Sequence, residues 1–153
     1  MTKVIVVYES KYGNTKQVAE TIIEGINEIQ KIEAVLGEPK RVELTEVLDS
    51  DVILIGSPNH FGGPTRGTKK FIDKLGKLPL KDKMFAVFDT YINGDFEKAV
   101  KKMEKRISEK VPELKQIASG LSIKVQDMKG PILEEELPKC KEFGKKIANQ
   151  LKT

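Results

Sequence analysis

Three short segments gather residues whose types and spacing could hold a ligand. The first, "SKYGNT" at 10–15, ends an apolar run and leads into a helical pattern. Ser10, Asn14 and Thr15 stand there at a helix start, where the first N–H groups lack intrahelical partners and the dipole is positive. Gly13 lets the backbone curl so that successive N–H groups converge on one point. With hydroxyls from Ser10 and Thr15 as further donors, the segment forms a nest for a phosphate and needs no lysine or arginine to do so. The plainer alternative is that Asn14 or Thr15 only caps the helix.

The second segment is "SPNHFGGPTRG" at 57–67. Pro58 and Pro64 stiffen its ends, Gly62 and Gly63 let the backbone approach a flat ligand or flip a peptide, and His60 and Phe61 offer planar surfaces. The third, "FDTYINGDFE" at 88–97, brings Asp89, Thr90 and Tyr91 to a strand end, followed by Gly94 and by Asp95 as the expected N-cap of the next helix. One phosphate nest and two loops able to wall a ring describe a mononucleotide-sized site, and a ring that needs no catalytic acid or base fits it best. His60 is the sole histidine. It is either a surface loop residue or a wall of the pocket.

The elements that must position these loops follow from the apolar pattern. Strands are expected at 3–8, 40–44, 52–57, 84–89 and 120–126, several of them apolar on both faces, as in a parallel sheet covered on each side. Val18, Ile22, Ile26 and Ile29 form one helical stripe, Thr68, Phe71, Ile72 and Leu75 a second, and Phe96, Val100, Met103 and Ile107 a third. A fourth helix, over about 134–151, closes the chain. Strands alternating with helices predict an open, doubly wound α/β fold of five parallel strands, in three layers, with the ligand beyond the strand carboxyl ends.

Composition narrows the classes further. The chain has 153 residues, 39% of them hydrophobic, which suits one domain over 1–153. No run approaches a membrane span and no signal peptide is evident, so a soluble, cytoplasmic protein is expected. The single cysteine, Cys140, lies on the apolar stripe Leu137, Cys140, Gly144, Ile147, Leu151 and is expected to be buried and inert. A net charge of +4 favours acidic partners, but mixed-sign helices and 6% aromatic residues without tryptophan argue against nucleic acid. GxGxxG and GxxxxGK[ST] are both absent, which argues against a nicotinamide-type Rossmann domain and a P-loop ATPase. The first and third strands do not end in the aspartates of a response-regulator receiver, and the first loop lacks the cysteine of a small tyrosine phosphatase.

The SxxGNT turn, the SPxxFGGPTRG loop, the DT turn and the closing "KGPILEEELPKCKEFGKKIA" together resemble the flavodoxins and their close single-domain relatives, from Lys3 to about Leu151. The resemblance implies the flavodoxin-like strand order 2-1-3-4-5 and a noncovalent FMN. Its phosphate would be held by Ser10, Lys11, Tyr12, Gly13, Asn14 and Thr15, and its isoalloxazine by the loop of Ser57, Pro58, Asn59, His60, Phe61, Gly62 and Gly63 and by Asp89, Thr90, Tyr91 and Asp95. It further implies a low-potential, monomeric one-electron carrier serving redox partner proteins such as a ferredoxin, reductase or oxidoreductase domain, with no membrane or nucleic-acid role. A carbonyl in 59–63 is expected to turn toward the flavin N5–H on reduction. The length agrees with the short-chain branch, since no long insertion splits the last strand.

This sequence departs from that pattern in its stackers and its charge. His60 and Phe61 stand where many flavodoxins carry a tryptophan, and Tyr91 is the nearest match to the usual outer-face tyrosine, at a tighter spacing. Lys11, Arg66, Lys69 and Lys70 surround a mouth that is commonly acidic, which should steer an acidic partner. The second reading is an FMN-dependent NAD(P)H:quinone oxidoreductase, since "PNHFGGPTRG" also resembles the PTxFG loop of that family. Those enzymes are longer and build their site across an oligomer interface.

Overall fold

A computed structural model describes residues 2–151. The elements run β1 (Lys3–Tyr8), α1 (Asn14–Ile29), β2 (Glu33–Gly37), α2 (Leu44–Leu48), β3 (Val52–Pro58), α3 (Arg66–Leu75), β4 (Met84–Tyr91), α4 (Lys98–Lys110), β5 (Lys115–Gln116), β6 (Leu121–Lys124) and α5 (Leu137–Leu151). All strand pairs in the sheet are parallel, in the order β2-β1-β3-β4-β5, with β6 also alongside β4. The fifth position is shared: β5 lies beside Met84 and Phe85, and β6 beside Phe88 to Tyr91.

Strand periodicity explains why the central strands read as continuous apolar runs. Val4, Val6 and Tyr8 of β1 join Val52 and Leu54 of β3 and Ala86 and Phe88 of β4 under α1 and α5. The alternate residues Ile5, Val7, Ile53, Ile55, Phe85 and Val87 lie under α3 and α4. Both faces are therefore buried, and each fully covered Val, Ile or Phe contributes about 1.5–3 kcal/mol. On one side α1 and α5 approach so closely that a Cβ on Gly25 would strike the Lys141 carbonyl and one on Gly144 the Ile22 carbonyl. Cys140 sits within this interface, fully buried, and desolvation pushes its thiol up to about 12, so the expected inert packing role holds.

Three expectations need correction. The second strand is not 40–44 but Glu33–Gly37, paired with β1 from Lys3↔Glu33 to Val7↔Gly37. At 40–44 the chain turns instead: the N–H groups of Arg41 and Val42 both donate to the Glu38 carbonyl, and Leu44 opens α2. Val42 packs on the core from that turn, so the apolar signal was real but belonged to a loop. The true β2 is a half-exposed edge strand, which weakens its pattern. The last strand is shorter than 120–126: it runs from Leu121 to Lys124, and Val125, whose N–H still donates to the Tyr91 carbonyl, forms an isolated antiparallel bridge with Ile132. Phe96 is not part of the third helical stripe: it precedes α4 and is 56% exposed, and Ala99 takes its place beside Val100, Met103 and Ile107.

Candidate functional site

The carboxyl ends of β1, β3, β4 and β6 open on a cleft of about 220 Å³. Three helices, α1, α3 and α4, begin on this side of the sheet; α3 is capped by its own Thr65, which also lines the cleft, and the N-termini of α1 and α4 are treated in opposite ways.

The α1 end is open. Gly13, at φ 92°, is the N-cap, and a side chain there would meet nothing within 4 Å. Ser10 Oγ accepts from the N–H groups of Gly13 (3.1 Å) and Lys16 (3.3 Å), which leaves its own hydrogen to donate. The N–H groups of Lys11, Tyr12, Asn14 and Thr15 find no acceptor among the described residues. Thr15, buried at the head of the helix, places its hydroxyl 3.1 Å from that of Thr90. This is a set of converging donors at the positive end of a helix, the arrangement that binds a phosphate dianion.

The α4 end is closed. Glu97, at φ 61°, is its N-cap and makes no side-chain cap, and the expected cap Asp95 pairs instead with Lys98 at 3.2 Å. The capping acceptors come from three other places in the fold: Asn59 Oδ1 takes the Ala99 N–H (3.0 Å), Asp89 Oδ2 the Val100 N–H (3.0 Å) and Ser122 Oγ the Glu97 N–H (2.9 Å). Ser122 in turn donates to Asp89 Oδ1 at 2.5 Å. Burial pushes the Asp89 carboxyl up to about 6, while its bonds from Ser122 and Val100 favour the ionised form. Asp95 and Asp89 therefore stand away from the cleft.

The reason Asp89 and Thr90 diverge is the strand itself. β4 continues to Tyr91, two residues past the expected end, so consecutive side chains point to opposite faces. Asp89 follows Val87 toward α4, and Thr90 follows Phe88 toward α1. Ser57 of β3 is turned the same way as Asp89, its Oγ accepting from the Thr65 N–H at the cap of α3 (3.0 Å), so it braces the second loop from beneath.

Of the expected site residues, Ser10, Lys11, Tyr12, Asn14, Thr15, Pro58, Asn59, His60, Thr90 and Tyr91 line the cleft together. Tyr91 is held edge-on by Phe96 (ring centroids 5.4 Å apart), and Lys11 and Lys129 flank the Tyr12 ring. The segment 60–63 closes on itself, His60 and Gly63 exchanging N–H···O bonds of 2.7 and 3.2 Å across Phe61 (φ 53°) and Gly62 (φ 73°). That tight turn aims Phe61 outward, 98% exposed, and keeps Phe61, Gly62 and Gly63 out of the cleft lining.

Sequence reasoning missed a fourth wall. Val125, Asp127 and Met128, with Ile92, Glu9 and Thr65, also line the cleft. The 125–131 loop leans on α1: a Cβ on Gly130 (φ 98°) would come within 2.5 Å of Asn14 Oδ1. The turn-forming "QDMKGP" after the last strand was the available signal.

The comparisons with known proteins agree with this fold. The flavodoxin family model matches residues 6–135. An uncharacterized protein of Methanocaldococcus jannaschii is 30% identical over 155 residues, covering 96% of this chain and 36% of that protein. A flavodoxin of Aquifex aeolicus is 35% identical over 79 residues, covering 51% of this chain and 43% of that one. The match thus spans less than half the length of either relative. A solved flavodoxin from the domain Archaea superposes with a TM-score of 0.83 at 27% identity, covering 99% of this chain and 100% of that chain. On the family match, and with the strand order in agreement, the chain belongs to the flavodoxin family.

Proposed function

We propose that this chain binds FMN noncovalently in the cleft and carries single electrons between redox proteins. The observation that carries the reading is the open N-terminus of α1, with four unpaired N–H groups and the Ser10 and Thr15 hydroxyls at one end of a cleft walled by His60, Tyr91 and Met128. Those donors suit a phosphate monoester, and Lys11 adds a positive charge at the rim. When bound, FMN supplies the one-electron chemistry, and the protein's part is to orient and shield it.

Each wall has its own task. The Thr15–Thr90 contact ties the phosphate end to β4, so the nest and the ring wall move as one body. Tyr91 and His60 offer planar surfaces to a ring, and Met128 and Val125 cover it against water. Asn59 bridges the second loop to β4 through its Nδ2–H bond to the Thr90 carbonyl (3.1 Å) and to α4 through Ala99. No titratable group of the cleft is needed as an acid or base, which fits electron transfer better than a reaction on a bound substrate. No helix among the described residues is long and apolar enough to cross a membrane, which fits a cytoplasmic carrier.

Titrating the chain into FMN should quench the flavin fluorescence to a one-to-one end point. The complex, reduced with dithionite, should pass electrons to ferric cytochrome c and should not consume NADH or NADPH with benzoquinone. A chain that leaves FMN fluorescence unchanged overturns the reading, and steady nicotinamide consumption replaces it with a quinone oxidoreductase.

A further inference from the structure

Beside the cleft, α3 and α4 enclose a second groove of about 300 Å³. Its lining is almost wholly basic: Lys69 of α3 faces Lys102, Lys105, Arg106 and Lys110 of α4, Pro64 lies at one end, and Glu109 is the single acid. Arg106 is neutralised by a two-pronged pair with Asp73 (2.9 and 2.7 Å). Lys69, Lys102 and Lys105 make no ion pair among the described residues, and all three are exposed.

This groove runs directly into the 60–63 turn. A Cβ on Gly63 would lie 3.3 Å from Lys102 Cδ and 3.6 Å from its Nζ, and one on Gly62 would lie 3.6 Å from Lys98 Cδ. At the tip of the turn stands Phe61, on a left-handed backbone that a bulky residue rarely adopts and with its ring 98% exposed. Its only ring neighbour among the described residues is His60, 5.2 Å away, and it stands outside the core clusters, while His60 itself lines the cleft. A protruding aromatic beside a field of unpaired like charges is the anatomy of an interface with an apolar anchor and a charged rim.

We propose that Phe61 and the α3/α4 groove form the docking face for an acidic redox protein, which exchanges electrons with the cofactor site across the 60–63 turn. The inference rests on the carrier reading above and specifies its partner by charge. Unpaired lysines at the rim raise the encounter rate of an oppositely charged protein, and Phe61 then fixes its position over the cleft. A small anion is the lesser fit, because the groove is open and has neither a helix N-terminus nor a buried polar group aimed into it.

The test uses the FMN-loaded protein, reduced beforehand with dithionite, and two ferric probes of opposite charge: a soluble acidic b-type cytochrome and the basic cytochrome c. Each ferric haem takes one electron and becomes ferrous, and no bond is made or broken at the iron. With the acidic probe the second-order rate should fall steeply with salt and drop about tenfold or more in the triple variant Lys69→Glu, Lys102→Glu, Lys105→Glu at low salt. Phe61→Ala should slow it severalfold at every ionic strength. Amide shifts on adding the acidic cytochrome should fall at 61–63, 69 and 98–105. They are read with or without FMN, so a chain that fails to bind flavin sinks the carrier reading and leaves docking to be decided by the shifts. Wild-type rates in both variants, or shifts on another face, overturn the proposal. Groove shifts that saturate with inorganic phosphate but not with the cytochrome overturn it in favour of a small-anion site.

Discussion

Two of the helices that begin on the cleft side of the sheet, α1 and α4, face the same physical problem and solve it differently. Each starts with N–H groups that no helical carbonyl can reach. At α4 three side chains from the second loop, β4 and β6 supply the acceptors, one of them a buried carboxylate. At α1 only Ser10 answers, two of its bonds going to Gly13 and Lys16, and the remaining donors face the cleft. The fold caps one helix fully and leaves the donors of the other turned to the cleft. The switch between the two is a single step along β4, since Asp89 serves the closed end and its neighbour Thr90 the open one.

The largest expected effect lies at the closed end. Asp89 holds its proton in the folded chain to about pH 6, whereas a free aspartic acid releases it near 3.8. Between those values the folded state binds more protons than the unfolded, so this group's contribution to stability falls as pH rises from about 4 and levels off above about 6 to 7. Two pKa units correspond to on the order of 3 kcal/mol. The difference in unfolding free energy between the wild type and Asp89→Asn should therefore shrink by that order between pH 4 and 7 in denaturant titrations, while FMN affinity stays near wild type. A constant difference across that range would mean that Asp89 is already ionised when folded.

At the open end, Ser10→Ala removes a hydroxyl donor to a charged ligand group, a bond worth about 1.5–3 kcal/mol. FMN should bind roughly 10- to 100-fold more weakly in a fluorescence titration, with only about 1 kcal/mol lost from the folded chain through the missing cap. The opposite ranking, stability lost and affinity kept, would make Ser10 a cap and nothing more. Asn59 touches both ends of the comparison, so Asn59→Ala should show both effects in small measure: about 1–2 kcal/mol of stability from the orphaned Ala99 N–H, and a severalfold loss of FMN affinity. An effect on stability alone would detach the second loop from the cofactor site.

Much of this was legible in the residues. The runs at β1, β3 and β4 are buried on both faces and announce a covered parallel sheet, and the stripes of α1 and α3 lie where their spacing puts them. Serine, glycine and threonine at the α1 start could be read as a nest because every requirement is local. What escaped is nonlocal or half-exposed. The edge strand β2 has too weak a pattern to outbid the Val42 turn. Asp95 sits at a capping distance in sequence, but Asp89, Asn59 and Ser122 reach α4 from 40 or fewer positions away on other elements, which no window of sequence reveals. Asp89 and Thr90 read as a turn because the strand's extra length depends on pairing with β6, from Phe88↔Leu121 to Tyr91↔Lys124.

The central claim is that the open end of α1 exists for a phosphate. Parallel titrations of the chain with FMN and with riboflavin, which shares the ring and lacks the phosphate, test it most directly. The account predicts FMN tighter by at least about 100-fold, since two or more charge-assisted bonds of about 1.5–3 kcal/mol each are at stake. Equal affinities for the two flavins would contradict it, leaving the α1 end as an ordinary uncapped helix start and the cleft as a site for the ring alone.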